Sequence, residues 1–80
     1  MDDFEKKVVE VLADKLDIDR EKITADSLLV DDLGLDSLGA VEMLFDLETE
    51  YDIEIPNEDA QQFKKTQDII DYLQDKLQKK

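Results

Sequence analysis

The chain has 80 residues, 23 of them acidic and 10 basic, giving a formal net charge of −13 at pH 7. That length predicts one small domain over residues 1–80, and a hydrophobic content of 41% supplies one modest core and sets it apart from a disordered acidic tail. The charge excludes nucleic acid as a partner, because phosphate backbones demand Lys and Arg, and it disfavours docking on anionic membranes. Proteins with basic patches are the expected partners. With no cysteine and no histidine, thiolate chemistry, zinc knuckles and imidazole-based proton transfer are closed off, so a catalyst is not expected. No apolar run is long enough to span a bilayer. Met1-Asp2-Asp3-Phe4 lacks the pattern of a signal peptide. The expected location is the cytoplasm, or an organelle matrix after processing.

In chain order, Phe4, Val8, Val11, Leu12 and Leu16 recur at three- and four-residue spacing and predict a first helix, with Asp2 or Asp3 capping its start. A long connection follows from about Asp17 to Leu35. Its Ile18, Ile23, Leu28, Leu29, Val30, Leu33 and Leu35 are expected to pin it across the bundle, with Gly34 supplying a bend. A second helix runs from about Asp36 or Ser37 to Tyr51. Ile53-Glu54-Ile55 is too short for a strand and is halted by Pro56. A short helical turn is expected after it, capped by Asn57. Ile69, Ile70, Leu73 and Leu77 mark a last helix that begins at a Thr66 cap and ends in Lys79 and Lys80. The predicted fold is all-α: a small bundle of three long helices and one short helix, with a long loop between helices 1 and 2.

The middle helix carries two apolar arcs. At about 100° per residue, Ala40, Met43, Leu44, Leu47 and Tyr51 form a core face. Leu38, Val41 and Phe45 form a second arc, edged by Glu42 and Asp46 on one side and Glu48 on the other. One buried stripe suffices for a helix in a small bundle. The second reads as an exposed strip rimmed with acids, fit for a partner with a hydrophobic groove and a basic rim. At the head of this helix stands Gly34-Leu35-Asp36-Ser37-Leu38. Asp36 is the better cap, which leaves the Ser37 hydroxyl toward solvent. Without a neighbouring base Ser37 is a poor nucleophile, and it reads instead as a hydroxyl that another enzyme modifies. The N–H groups of the helix N-terminus favour a phosphate there.

Asp32-Leu33-Gly34-Leu35-Asp36-Ser37-Leu38, with Val41-Glu42, Leu47-Glu48, Ile53-Glu54-Ile55-Pro56-Asn57-Glu58-Asp59-Ala60 and Ile70-Asp71-Tyr72-Leu73, resembles the acyl carrier proteins of dissociated fatty acid synthesis along essentially the whole chain. The resemblance implies that a phosphopantetheinyl transferase moves 4′-phosphopantetheine from coenzyme A to Ser37. The arm's thiol would then hold a growing acyl chain as a thioester for partner enzymes, while the carrier itself catalyses nothing and acts as a monomer. By position it assigns Asp36, Leu38, Val41, Glu42, Phe45, Asp46 and Glu48 to partner contact. It also makes Met43, Leu47, Ile55, Ala60, Phe63 and Ile70 candidates to line an acyl pocket. Gly39 and Phe63-Lys64-Lys65-Thr66 depart from the usual pattern. Gly39 leans toward carriers of amino acids such as D-alanine, so carriers for polyketide or aminoacyl chemistry remain an alternative, as does an acidic interaction module with no prosthetic group.

Asp31, Asp32 and Asp36 lie close in sequence, but their spacing is not that of a calcium loop, and no specific metal site is expected. The charge itself has a consequence for stability. Residues 23–63 hold twelve acids and no Lys or Arg, so self-repulsion opposes the folded state. Added salt or magnesium at neutral pH is expected to raise the melting temperature, measured by thermal denaturation. A midpoint indifferent to both would remove self-repulsion as a major contribution.

Overall fold

The structure is a computed structural model that describes residues 3–78. It contains helices α1 (Asp3–Leu16), α2 (Ser37–Tyr51), α3 (Asn57–Ala60) and α4 (Thr66–Gln78), with a single 3-10 turn at Arg20–Lys22. Three helices are long and one is short, as the periodicity predicts. No helix among the described residues is long and apolar enough to cross a membrane.

Each long helix turns one apolar stripe toward the core. Val8, Val9, Leu12 and Ala13 of α1, Met43 and Leu47 of α2, and Ile69, Ile70 and Leu73 of α4 are buried together with Ile23, Leu29, Leu35 and Ile55. Removing a side chain such as Leu47 or Leu73 from water contributes roughly 1.5–3 kcal/mol. The Phe4 and Tyr51 rings, 5.7 Å apart, close the end of the α1–α2 contact.

Both α1 and α2 end through a left-handed aspartate, Asp17 (φ 56°) and Asp52 (φ 54°). The Ile18 N–H then donates to the Ala13 carbonyl and the Ile53 N–H to the Glu48 carbonyl, while both isoleucines pack on the core. This is the helix stop in which the residue after a left-handed position folds back hydrophobically. Aspartate tolerates that backbone better than most residues, although its charge opposes the negative end of the helix dipole.

Helix starts differ from expectation in three places. Thr66 is the first residue of α4 rather than its cap; it is fully buried, and its hydroxyl reaches the Ser27 carbonyl at 3.5 Å. The first-turn amides of Thr66 and Gln67 are answered by the Ser27 and Ala25 carbonyls, while Asp68 Oδ2 accepts from the Lys64 and Lys65 N–H groups just before the helix. Asn57 likewise opens α3 from inside, and the residue before it is the extended Pro56, which makes no side-chain cap. At α1, Asp3 lies within the first turn. Asp2, Lys79 and Lys80 lie outside the described residues.

The long loop is tied down mainly by its backbone. Leu28 and Lys65 form an isolated antiparallel bridge. The Leu29 N–H donates to the Lys64 carbonyl, and the N–H groups of Thr66 and Gln67 donate to the Ser27 and Ala25 carbonyls. Ile23, Leu29 and Leu35 are buried as expected, but Leu28 and Val30 are exposed at 40% and 65%. These two are not pins: the loop makes a helical turn here, closed by Gly34 (φ 73°), and a turn held by its own backbone bonds places only part of its residues inward. Asp32 accepts from the Leu28 N–H at 2.8 Å and fixes the start of that turn.

Helix α3 is fastened to α4 by side chains. The Tyr72 hydroxyl donates to Asp59 Oδ2 at 2.7 Å, the Phe63 ring meets the Tyr72 ring edge-on at 5.2 Å, and the Lys76 ammonium lies 5.5 Å above Tyr72. Burial, the Asp59 hydrogen bond and the charges of Asp59 and Glu48 push the Tyr72 phenol up to about 12 from 10. A raised folded pKa means that this stabilisation is whole below pH 10 and is lost as pH climbs through about 12. Relative to its own melting temperature at neutral pH, Tyr72→Phe should therefore lose less stability across that window than the parent chain. Thermal denaturation against pH checks this, and identical alkaline profiles would refute it.

Candidate functional site

Asp36 stands in extended backbone just before α2, and its Oδ1 accepts from the Gly39 N–H at 2.6 Å. This is the N-cap arrangement: a short carboxylate satisfies an amide that the first turn cannot pair, and its charge favours the positive end of the helix. The Ala40 N–H donates to the Asp36 carbonyl and closes the turn. Ser37 is thereby the first helical residue and is exposed. A serine at a helix start is often spent on capping. Here a neighbour has that work, and the hydroxyl faces water.

Gly39 has a local reason to be glycine. A Cβ at that position would lie 2.9 Å from Asp36 Oδ1 and 3.4 Å from Leu35 Cδ1. The bare backbone lets the cap close tightly.

The second arc of α2 is on the surface. Leu38, Val41 and Phe45 are exposed at 68%, 64% and 67%, while Met43 and Leu47 are buried and Ala40, Leu44 and Tyr51 pack against the core. Phe45 borders a groove of about 290 Å³ between α1 and α2, lined also by Val11, Asp14, Asp46, Thr49 and Glu50. The acidic rim is not uniform. Glu42 and Asp46 share the Lys15 ammonium of α1, at 3.7 and 3.1 Å. Glu48 turns the other way, its Oε2 accepting from the Ile55 N–H at 3.0 Å and holding the segment after α2 in place. Lys15 was not marked by any sequence pattern, because its partners lie on another helix. A basic residue in the last turn of α1, a few residues ahead of a long stretch without bases, is the linear trace of it.

Met43, Leu47, Ile55 and Ile70 are buried, and Ala60 and Phe63 pack against the same core. The six come from α2, the link after it, α3, the turn beyond α3, and α4, and all belong to or pack against the single core. No group of three or more Asp, Glu, His or Cys residues among the described residues is arranged to hold a metal ion.

An exposed hydroxyl at the head of a helix, with the cap supplied by its neighbour, suits esterification by a phosphodiester: the oxygen is accessible and bears no structural duty. The sequence comparisons agree with this chemistry. Residues 6–73 match the family described as the phosphopantetheine attachment site. The acyl carrier protein of Clostridium perfringens is 44% identical over 73 residues, covering 91% of this chain and 96% of that protein. That of Syntrophobacter fumaroxidans is 48% identical over 67 residues, covering 84% and 83%. A solved structure from Mycobacterium tuberculosis, described as an acyl carrier protein, superposes with a TM-score of 0.78 at 41% identity over 82% of this chain and 88% of that one. The chain belongs to the acyl carrier protein family, the carriers that bear a 4′-phosphopantetheine prosthetic group.

Proposed function

We propose that Ser37 is the attachment residue and that the chain acts as a single carrier domain for growing fatty acyl chains, delivering them to the enzymes of fatty acid synthesis. The observation that carries this reading is the exposed Ser37 hydroxyl, relieved of capping by Asp36, inside a chain of this family. When bound, the prosthetic group supplies a thiol that holds the acyl chain as a thioester, which suits a protein with no cysteine of its own. The protein's part is to present and to be recognised. Tethering to Ser37 raises the effective concentration of the acyl chain at a docked active site.

Recognition falls to α2. Leu38, Val41 and Phe45 supply apolar contact, and Asp36, Glu42, Asp46 and Glu48 supply a negative rim that steers basic surfaces of a phosphopantetheinyl transferase and of the synthesis enzymes. Among these acids Glu48 acts closest to the fold, through its bond to Ile55. The chain works as a cytoplasmic monomer and is a substrate of the transferase, not a catalyst. Met43, Leu47, Ile55, Ala60, Phe63 and Ile70 are the residues proposed to part and admit an acyl chain; four of them are buried in the core, and Ala60 and Phe63 pack against it.

Fatty acids are favoured over aminoacyl or polyketide cargo by the dense acidity and by the Ile53-Glu54-Ile55-Pro56 segment. Gly39, the one residue that leaned toward D-alanine-type carriers, has a local role in the close Asp36 cap.

Incubating the apo protein with coenzyme A and a phosphopantetheinyl transferase should add the mass of one phosphopantetheinyl group, and Ser37→Ala should add none. A gain that persists in Ser37→Ala would overturn the assignment. Loading of the holo protein by fatty acid synthesis enzymes, set against an adenylating ligase, separates the two cargo classes. Asp36 allows its two roles to be parted. Asp36→Asn keeps a good cap without the charge and should hold stability while slowing transferase loading. Asp36→Ala should slow loading and also lose about 1 kcal/mol of folding stability, read by denaturant titration.

A further inference from the structure

Glu42 and Asp46 stand one turn apart on α2, a like-charge spacing that destabilises a helix. From residue 23 to residue 63 there is no Lys or Arg, so compensation must come from another element. It comes from Lys15 in the last turn of α1, whose ammonium lies 3.1 Å from Asp46 and 3.7 Å from Glu42. The Lys15 side chain is 26% exposed, against 48% for Lys7 in its pair with Glu50, so it is the more closely held of the two lysines that α1 offers to α2. The hydrogen bond to Asp46, with the charges of Asp46 and Glu42, raises the Lys15 pKa above its ordinary value.

These same two carboxylates belong to the docking face proposed above, and the inference rests on that reading. We propose that Lys15 is an internal competitor for that face: it occupies the carboxylates that a partner's Lys or Arg would engage, so that it stabilises the fold and weakens docking at once. The fitting partner is a basic protein surface. To reach Glu42 and Asp46, its cations must displace the Lys15 ammonium or share the carboxylates with it. With Lys15 in place, the cluster of three side chains presents a net charge of about −1 rather than −2 to an approaching partner, which lowers the steering field at short range.

The effects on stability and docking therefore have opposite signs, which a purely structural salt bridge does not produce. The test measures transferase loading of the apo protein with coenzyme A at low and high ionic strength. Lys15→Gln should melt at a lower temperature yet load with kcat/KM raised about three- to ten-fold at low salt, carried by KM, with the advantage vanishing at high salt. Lys15→Arg should behave as the parent, and Lys7→Gln, which removes the same charge from the pair with Glu50, should show little of the gain. In a Glu42→Gln/Asp46→Asn background Lys15→Gln should bring no gain. Circular dichroism establishes that each variant is folded. Lys15→Met, which keeps the aliphatic stem, is read in the same way if the Gln variant is not folded.

Unchanged or reduced kcat/KM at low salt, or a gain that survives in the doubly neutralised background, would overturn the competition. If the double neutralisation alone leaves loading unaffected, the docking face itself is wrong. If it slows loading while Lys15→Gln brings no gain, only the role of Lys15 falls.

Discussion

A single hydrogen bond at the head of α2, from the Gly39 N–H to Asp36 Oδ1 at 2.6 Å, governs how the rest of the molecule can be used. The first amides of a helix lack partners within it, and Asp36 answers for the one at Gly39. Because Asp36 does so, Ser37 enters the first turn with its hydroxyl in water, and Leu38, Val41 and Phe45 follow on an exposed face of the same helix. A Cβ at position 39 would stand 2.9 Å from the capping Asp36 Oδ1, so glycine leaves that carboxylate uncrowded. The cap and the free Ser37 hydroxyl thus share one local geometry.

Charge sets the second constraint. A domain this small has little surface to hide, and its acids are concentrated where no base is near in sequence. The fold answers from outside that stretch: Lys15 and Lys7 of α1 reach across to α2, and Lys76 of α4 lies over Tyr72. Lys7 and Lys15 lessen repulsion among the carboxylates with which they pair. On the docking proposed above, stability and recognition draw on the same carboxylates, in opposite senses.

The elements that frame the bundle are held by unlike means. The loop between α1 and α2 is stitched through backbone hydrogen bonds to the link before α4, whereas α3, only four residues long, is held by Tyr72, Asp59 and Phe63. A helix of one turn cannot persist on its own propensity, so this segment keeps its shape through tertiary contacts. Ala60 and Phe63, proposed above to help line an acyl pocket, belong to this part of the chain and pack against the core. Helices fastened by a few side chains can shift at lower cost than helices fastened by a ladder.

Sequence by itself determined the helical class, the extents of the long helices, Asp36 as the cap and the two faces of α2. These follow from spacing and from the chemistry of adjacent residues, which act over one or two turns. It failed at Thr66 and Asn57, where a residue with capping chemistry entered the helix instead. Whether a hydroxyl caps or turns inward depends on what packs over it, here the Ser27 carbonyl. It also placed Leu28 and Val30 inside, since composition cannot say which residues of a turn face the core. The pairing of Lys15 with Glu42 and Asp46, the fastening of Glu48 to Ile55 and the bridge from Leu28 to Lys65 were decided only in three dimensions. They join residues far apart along the chain, and such contacts exist only once the helices have packed.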